Sequence, residues 1–335
     1  MPVMEAIAHV ARAATEPVTP RERAALVLDA LRQIIPYDHA ELTFRDPTDG
    51  SARVLANAGY DDDVLAYLTS SDWDEQMRSL PEHAIGVPVR VRDVAPGTVA
   101  RRGIETVLVP AGYNEGMTQC LYTTDGRCTG VLNLSLADDR HPNDEQRDVM
   151  HSLGPALANV VDATQSPRYL LSLLDPRTHA VALDGRGGVV ALPGIADHPL
   201  LVDGGQVAAI AHAASVGQGG RRSDRRFLWP GSDRRWHRVA VVSCNDGLGA
   251  WDGLLTLLPD AVELTLTRRE IEVLTLLTAG WSNAAIGSHL WISPRTVATY
   301  VEQVLSKLGV PTRAAAAARA IAEGLVVPLA ALEPS

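Results

Sequence analysis

The spacing of hydrophobic residues predicts a mixture of helices and strands over residues 20–164. In the segment RERAALVLDALRQIIP, apolar residues recur at helical spacing and form one face, namely Ala24, Leu28, Leu31 and Ile35. This spacing predicts a helix that Pro36 ends. The next segment, AELTFR, alternates in the way of a strand. Its predicted core-facing residues are Ala40, Leu42 and Phe44, and its predicted solvent-facing residues are Glu41, Thr43 and Arg45.

A further strand, a hairpin and a long helix follow. The segment AIGVPVRVRDV alternates at Ile85, Val87, Val89 and Val91, which predicts a strand. The segment QCLYTTDGRCTGVLNLSL predicts a β-hairpin in which Asp125-Gly126 forms a two-residue turn. In NDEQRDVMHSLGPALANVVDA, Asn143 and Gln146 fit the capping pattern at the start of a helix.

The register of that hairpin decides whether two cysteines can meet. A two-residue turn places Cys128 opposite Thr123, and Cys120 precedes Thr123 by three residues. Because side chains alternate between the two faces of a sheet, this odd offset puts the sulfurs on opposite faces. We therefore expect no disulfide between them, unless the register differs.

This order of elements, with TGVLNLSL as a strand and a last helix after HPNDEQ, resembles a GAF domain, which is a small-molecule-sensing α/β module. The resemblance implies a sensor domain over residues 1–164. If it has a ligand pocket, we expect the pocket near AGYNEGMTQCLY, with Tyr113, Met117 and Cys120 as its lining. Ordinary core packing also explains these three side chains. A dimerising or partner-binding role is the alternative to ligand binding, since fold does not determine function.

Residues 165–258 carry weaker patterns. We predict two short strands in HAVALDGRGGVVALPG, two more in RWHRVAVVSCN and DGLLTLLP, and a helix in GGQVAAIAHAASV. This region is either a PAS-like α/β fold or an extension of the sensor. Residues 221–238 contain seven arginines and two aspartates. We interpret this stretch as a solvated loop beside a strand, with nucleic-acid contact as the alternative.

Four helices with clear start and stop signals are predicted over residues 259–326, ahead of a C-terminal tail, 327–335. Thr267 and Glu270 form a capping box, Ser282 caps a second short helix, and Ser293-Pro294 begins the third. The third helix, residues 294–308, ends before Gly309, and a fourth follows Thr312. The candidate buried residues of the first two helices are Ile271, Leu274, Leu277, Ala285, Ile286 and Leu290.

The third helix has two different faces. One carries an aliphatic stripe formed by Val297, Val301, Val304 and Leu308. The other carries hydrogen-bonding residues, namely Arg295, Thr299, Glu302, Gln303 and Ser306. A short helix, a tight turn and a helix of this kind form a helix-turn-helix, whose second helix fits the major groove of DNA.

The C-terminal sequence resembles the LuxR/NarL-type helix-turn-helix domain of bacterial transcription regulators, through LTxRE, EVL, AGxSNxxI, LxISxxTV and KLGVxTR. The resemblance implies double-stranded promoter DNA as partner. The implied base contacts are Ala298, Thr299, Glu302 and Gln303. The implied phosphate contacts are Ser282, Asn283, Ser293, Arg295, Thr296, Lys307 and Arg313, of which Arg313 is either a contact or a structural group. The sequence departs from the family at Ala298, Tyr300 and Gly287, where Lys or Arg, His, and Ala are common.

Charge and composition narrow the function. The 335-residue chain has a net charge of −10, so any DNA contact must be local. Residues 265–335 hold six basic and five acidic side chains, and we therefore expect a homodimer that doubles the DNA contacts. Lys307 is the only lysine. The residues before it therefore lack the lysine that a phosphorelay receiver domain, a phosphate-binding loop or a Schiff-base enzyme needs. These three kinds of front end are excluded.

The sequence therefore predicts an α+β multidomain protein: a GAF-like α/β sensor, then the PAS-like or extension region, and an all-α four-helix helix-turn-helix domain. We expect a cytoplasmic bacterial transcription regulator of actinobacterial type. We expect no catalytic residues, no metal site and no cofactor, and no membrane segment, because no motif for them is present. RNA polymerase and an unidentified small molecule remain open as partners. The alternative is a ligand-sensing interaction module whose C-terminal helices bind a protein.

Overall fold

The computed structural model describes residues 3–81, 85–137, 140–215, 225–231, 236–244, 248, 250–258 and 265–332. The chain divides into two compact units. The first comprises Met1–Gln165 with Asp246–Ala250, and the second comprises Ser166–Asn245 with Trp251–Ser335.

The first unit contains a five-stranded antiparallel sheet with the strand order β2-β1-β5-β4-β3. Its strands are β1 (His39–Arg45), β2 (Ala52–Ala58), β3 (Val89–Arg90), β4 (Glu115–Tyr122) and β5 (Cys128–Leu136). Its helices are α1 (Val3–Thr15), α2 (Pro20–Leu31), α3 (Asp62–Leu68), α4 (Ser71–Arg78), α5 (Val99–Gly103, continued by a π turn at Ile104–Leu108) and α6 (Asp144–Val160). The predicted capping box of Asn143 and Gln146 begins α6.

Both faces of the central strand β1 are buried, which corrects one prediction. Ala40, Leu42 and Phe44 are buried as predicted, but Glu41 and Thr43 are buried as well. The expectation that these two face solvent was wrong because helices cover both faces of the sheet. The side chains of β1 still alternate between the two faces, but both faces are buried. The predicted helix around Leu31 also ends earlier than expected, at that residue rather than at Pro36.

Two strand predictions need correction. The pattern at Ile85–Val91 forms only the two-residue strand β3, and Ile85 is exposed. In the hairpin, the amide of Thr123 donates to the carbonyl of Arg127, 3.0 Å away, so the turn is longer than the predicted two residues. Gly126 lies in this turn with a φ of 83°, a conformation that glycine adopts without steric cost.

The second unit contains another five-stranded antiparallel sheet, with the order β7-β6-β10-β9-β8. Its strands are β6 (His179–Leu183), β7 (Val189–Ala191), β8 (Arg225–Pro230), β9 (Trp236–Ser243) and β10 (Gly253–Leu257), accompanied by helices α7 (Gln165–Ser172) and α8 (Gln206–Ser215). The four predicted strands and the predicted helix are present. Strand β8 was missed, since it lies in the arginine-rich stretch that we interpreted as a loop.

Four helices complete the second unit, namely α9 (Arg268–Thr278), α10 (Asn283–Leu290), α11 (Pro294–Leu308) and α12 (Arg313–Glu323), followed by a 3-10 turn at Leu329–Ala331. The segment after α12 reaches the edge strand of the sheet, where the amide of Leu228 donates to the carbonyl of Val326 over 2.8 Å. Leu228 lies in the same apolar cluster as Leu274 and Leu308. Helices α9, α11 and α12 therefore share part of their core with strand β8.

Candidate nucleic-acid interface

Local side-chain hydrogen bonds define the start of each helix in the C-terminal bundle. Thr267 and Glu270 form the predicted capping box of α9, and the Ser282 hydroxyl accepts from the amide of Ala285 at the start of α10. At α11, the Ser293 hydroxyl accepts from the amide of Thr296 over 3.0 Å, and Pro294 occupies the first helical position. These caps satisfy amides that a helix start leaves unpaired, so the sequence encodes the boundaries locally.

A tight turn joins α10 to α11. Trp291 lies in the left-handed region, with a φ of 57°, and its side chain is 90% exposed. The amide of Ile292 donates to the carbonyl of Gly287 over 3.0 Å, and a Cβ at Gly287 would lie 2.7 Å from the carbonyl oxygen of Ile292. Glycine at this position therefore permits the close approach of the turn to α10, although alanine is common there in the resembled family.

Helix α11 presents one apolar and one polar face, as predicted. Val297 packs with Ile286 and Leu290 of α10. Val304 and Leu308 pack with residues of α9 and α12, while Val301 is only partly buried. The stripe therefore holds α11 against the other three helices.

The opposite face of α11 carries the predicted base contacts. Thr299, Glu302 and Gln303 are exposed, and Ala298 is partly exposed. The Thr299 hydroxyl donates to the carbonyl of Arg295 within the helix. For Glu302 and Gln303, no hydrogen bond to any described part of the chain is present, so both side chains are available to a ligand.

Most predicted phosphate contacts cluster at two helix starts. Ser282 and Asn283 lie at the start of α10, and Ser293, Arg295 and Thr296 lie at the start of α11. Helix starts carry partial positive charge and unpaired amides, which suits an anion. Ala285, which we expected to be buried, is exposed on the first turn of α10.

The basic side chains of the bundle are mostly engaged within the protein. Arg268 and Arg269 pair with Glu272, and Arg319 pairs with Glu323. The Arg313 guanidinium donates to the carbonyl of Trp281 over 2.8 Å, which gives this residue a structural contact. Within residues 265–332, Arg295 is the cation for which no such partner is present.

Lys307 has a structural partner that the sequence did not indicate. Its Nζ donates to Oε2 of Glu270 over 2.7 Å, and Glu270 is buried. Burial acts to raise the pKa of Glu270, but hydrogen bonds from Lys307 and Thr267 outweigh it, and the net effect is a pKa below the ordinary value. Lys307 therefore stabilises a buried carboxylate, whatever it contributes to phosphate binding.

The candidate pocket residues of the first unit are all buried. Tyr113 and Met117 line a cavity of about 20 Å³ between the sheet and helices α3–α5, whereas Cys120 does not line it. A cavity of this size holds about one water molecule. In this conformation the two side chains therefore act as core residues, and the space for a larger ligand is closed.

The same unit contains a buried polar network that the sequence pattern did not indicate. The Asn133 amide donates to Oε1 of Glu41 over 3.0 Å and its oxygen accepts from Thr118, while Oε2 of Glu41 has no hydrogen-bond partner among the described residues. Burial raises the pKa of Glu41 to about 7. Only the strand alternation could have indicated Glu41, and it was interpreted as a solvent-facing position.

The described residues contain no group of three or more His, Cys, Asp or Glu side chains placed to hold a metal ion. None of the helices in the described ranges has the length and apolar character needed to cross a membrane.

Comparison with known proteins identifies the C-terminal bundle. Residues 264–320 match the family model described as bacterial regulatory proteins, luxR family. Transcriptional regulatory protein DegU of Brevibacillus brevis is 48% identical over 61 residues, which cover 18% of this chain and 26% of the relative. The probable transcriptional regulatory protein NarL of Mycobacterium tuberculosis (strain ATCC 25618 / H37Rv) is 35% identical over 108 residues, which cover 30% of this chain and 50% of the relative. The chain thus spans half or less of the length of these relatives.

Among solved structures, the chain is similar to the GAF domain of a phosphoenolpyruvate-protein phosphotransferase from Coxiella burnetii, with 14% identity and a TM-score of 0.39. That likeness covers 50% of this chain and 96% of the other. The family match covers residues 264–320, which contain helices α9, α10 and α11 and most of α12. The C-terminal part of this chain is a helix-turn-helix domain of the luxR family of bacterial regulatory proteins.

Proposed function

We propose that the protein is a sequence-specific DNA-binding transcriptional regulator, in which α11 is the recognition helix and enters the major groove. The observation that carries this proposal is the division of α11 into two faces. Its aliphatic stripe is committed to the bundle, whereas Thr299, Glu302 and Gln303 are exposed and next to one another. A helix with this division fits a groove about 12 Å wide.

The polar face suits base recognition by a small number of contacts. The Glu302 carboxylate can accept a hydrogen bond from the amino group of cytosine, and the methyl groups of Ala298 and Thr299 can contact the methyl group of thymine. Gln303 can pair with adenine. Because no cation lies at the position of Ala298, we expect these side chains to recognise the DNA site mainly through the methyl and amino groups of its bases and through its shape.

Phosphate contacts would orient α11 in the groove. The starts of α10 and α11 offer the hydroxyls of Ser282 and Ser293, the side chains of Asn283 and Thr296, and helix-terminal amides to a phosphate. The Arg295 guanidinium adds a charge at the start of α11. Because few cations are available in one bundle, the proposal includes a homodimer that contacts two half-sites.

The front end would modulate this activity. The GAF resemblance of residues 1–164 supports a ligand-sensing or partner-binding role, in which the state of the first unit alters how the two recognition helices are presented. An effector can shift such an equilibrium only through a difference in its affinity for the two states. RNA polymerase and the unidentified small molecule belong to this proposal as partners.

The proposal is tested by selecting bound sequences from a random pool of duplex DNA with the full chain, followed by affinity measurements on the selected site. We expect one enriched motif. The affinity for it should fall steeply with salt, with a slope of log K against log salt near −0.9 for each phosphate contacted. DNA binding without any enriched motif would contradict sequence-specific recognition. If the chain has no affinity for DNA and its C-terminal helices bind a protein instead, the protein is an interaction module and not a regulator.

A further inference from the structure

Two cysteines of the first unit lie together because the hairpin register differs from the one that its sequence predicted. Cys120 is opposite Val131, and Leu121 is opposite Gly130. The register then shifts, so that Tyr122 is opposite Cys128 and one residue of β5 is left over. Tyr122 and Cys120 project from the same face of β4, and Cys128 is therefore on that face too. The prediction that the two sulfurs lie on opposite faces was wrong.

The two thiols are neighbours on one face of the sheet and differ in the exposure of their residues. Cys128 lies opposite Tyr122, two residues along β4 from Cys120, so the two side chains are diagonal neighbours, and an electrostatic interaction couples them. Cys120 is 1% exposed, whereas Cys128, the first residue of β5, is partly exposed. Both are free cysteines. Cys128 is therefore the more accessible residue of the pair, and Cys120 lies beside it in the interior.

A fixed positive charge adjoins the outer thiol. The Arg45 guanidinium interacts with Cys128. Arg45 is itself held by an ion pair with Asp74 and by a hydrogen bond to the carbonyl of Gly50, 3.1 Å away. Tyr122 projects from the same face of β4 as Cys120, two residues away. The pair thus has a cation beside its more exposed member.

The surroundings give the two thiols different pKa values. Contact with Cys120 lowers the pKa of Cys128, with a further contribution from Arg45, although burial opposes both. Contact with Cys128 and burial both raise the pKa of Cys120. Of the two thiols, Cys128 is therefore the one that loses its proton more readily, and Cys120 is the one that retains it. A thiolate is the nucleophilic form of cysteine.

We propose that Cys128 and Cys120 form a modification site that reacts with hydroperoxides. The Cys128 thiolate attacks one peroxide oxygen, the O–O bond breaks, and Cys128 becomes a sulfenic acid while the leaving oxygen takes up a proton. The Cys120 sulfur then attacks the sulfenic sulfur, the S–O bond breaks, and the hydroxyl leaves as water with the Cys120 proton. The two thiols lose two electrons in total, and the peroxide is reduced.

The site can be tested on the full chain with hydrogen peroxide, followed by alkylation and peptide mass analysis without reduction. Trypsin cleaves after Arg127, which lies between the two cysteines, so a disulfide keeps the two resulting peptides joined. We expect a joined species lighter by two hydrogen atoms. Cys244, which is buried in the second unit, serves as an internal control and should remain alkylatable.

Two variants separate the roles of the pair. In Cys120→Ser, we expect Cys128 to stop at the sulfenic acid, which a dimedone-type reagent traps. In Cys128→Ser, we expect Cys120 to stay reduced. In Arg45→Met, oxidation of Cys128 near neutral pH should slow by about tenfold because the thiolate loses its neighbouring cation. Circular dichroism of each variant verifies that the fold is retained.

Equal oxidation rates for all three cysteines would overturn the proposal, and so would undiminished oxidation of Cys120 in the Cys128→Ser variant. A sulfenic acid on Cys128 of the wild-type chain without any joined peptide would overturn the assignment of Cys120 as its partner. No DNA is present in this assay, so its outcome is independent of whether the protein is a DNA-binding regulator.

Discussion

The Nζ of Lys307 lies 2.7 Å from Oε2 of Glu270, and this contact ties the last turn of α11 to the first turn of α9. The same Glu270 carboxylate accepts the amide of Thr267 in the capping box. Glu270 is nearly inaccessible, with a side-chain exposure of 3% against 36% for Lys307. One carboxylate therefore sets both the start of α9 and the position of α11.

We predict that Lys307→Met destabilises the bundle by about 1–2 kcal/mol at neutral pH, because Glu270 then keeps a buried charge without its cation. Hydrogen exchange of the α9 and α11 amides in the full chain measures this change. Arg268→Met is the matched control, since Arg268 is exposed and Glu272 keeps its ion pair with Arg269, so the loss should be less than about 1 kcal/mol.

The Lys307 effect should depend on pH in a defined direction. The folded-state pKa of Glu270 is lowered, so its ion pair stabilises the fold above the ordinary carboxyl pKa and loses this effect as the pH falls towards the lowered value. The difference between Lys307→Met and the wild type should therefore shrink below about pH 4. A difference that stays constant with pH would show that Lys307 acts through packing instead.

Arg295→Ala should weaken binding to every DNA sequence by a similar factor. Its guanidinium is exposed at the start of α11, where a phosphate contact requires no rearrangement of an existing ion pair. We expect the slope of log K against log salt to become less negative by about 0.9. Arg268→Ala, which removes a cation already paired with Glu272, should leave the slope nearly unchanged. Equal slopes for the wild type and Arg295→Ala would remove this residue from the interface.

Glu302→Ala should alter sequence preference rather than overall affinity for nonspecific DNA. Loss of an acceptor for the cytosine amino group should reduce discrimination at one base pair by about 1–3 kcal/mol. Repeating the selection from random DNA with the variant measures this directly, and Ser306→Ala, an exposed neighbour, is the control. Unchanged selectivity in Glu302→Ala would contradict its assignment to a base.

Gly287→Ala should destabilise the helix-turn-helix, although alanine usually favours a helix by up to about 1 kcal/mol over glycine. The added Cβ would lie 2.7 Å from the carbonyl oxygen of Ile292, so the turn must move. A lower melting temperature and faster hydrogen exchange in α10 are the expected results. Ser288→Ala, on the exposed side of the same helix, should show neither effect, and a stabilised Gly287→Ala would mean that the turn moves at little cost.

The first unit should become less stable as the pH rises from about 4.5 to about 7, because of Glu41. Its folded-state pKa, about 7, exceeds its ordinary value of 4.5, so the protonated form is favoured by folding. The resulting stabilisation is complete below 4.5 and is lost as the pH rises through about 7, with a span of roughly 3 kcal/mol. Urea-unfolding curves from pH 5 to 8 should show this slope in the wild type.

The control for this pH dependence is a matched pair of variants. Glu41→Gln keeps a neutral hydrogen-bonding side chain beside Asn133, and its first unit should lose the slope. Glu75→Gln removes an exposed carboxylate of α4 and should retain it. A slope that persists in Glu41→Gln would assign the effect to another group.

The sequence alone was sufficient for the helix boundaries of the C-terminal bundle. The capping residues Thr267, Ser282 and Ser293 contact amides three residues away, and the stripe of α11 repeats within one helix. Such signals are local and hardly depend on what the rest of the chain does. Helix boundaries and the exposed face of α11 were accordingly predicted correctly.

Tertiary structure decided the ion pairing, the burial and the strand register, which local sequence signals do not contain. The pairing of Lys307 with Glu270 joins residues 37 positions apart, and nothing in either neighbourhood indicates the other. Glu41 is buried because layers on both sides cover its strand, while alternation alone reports only that its side chain points away from Leu42. The meeting of Cys120 with Cys128 depends on one unpaired residue in a hairpin, and a shift of one residue exchanges the two faces of a strand. The sequence by itself therefore determined where helices begin and which way α11 faces, because those features arise from neighbours along the chain, whereas burial, ion pairing and strand register arise only when distant segments pack.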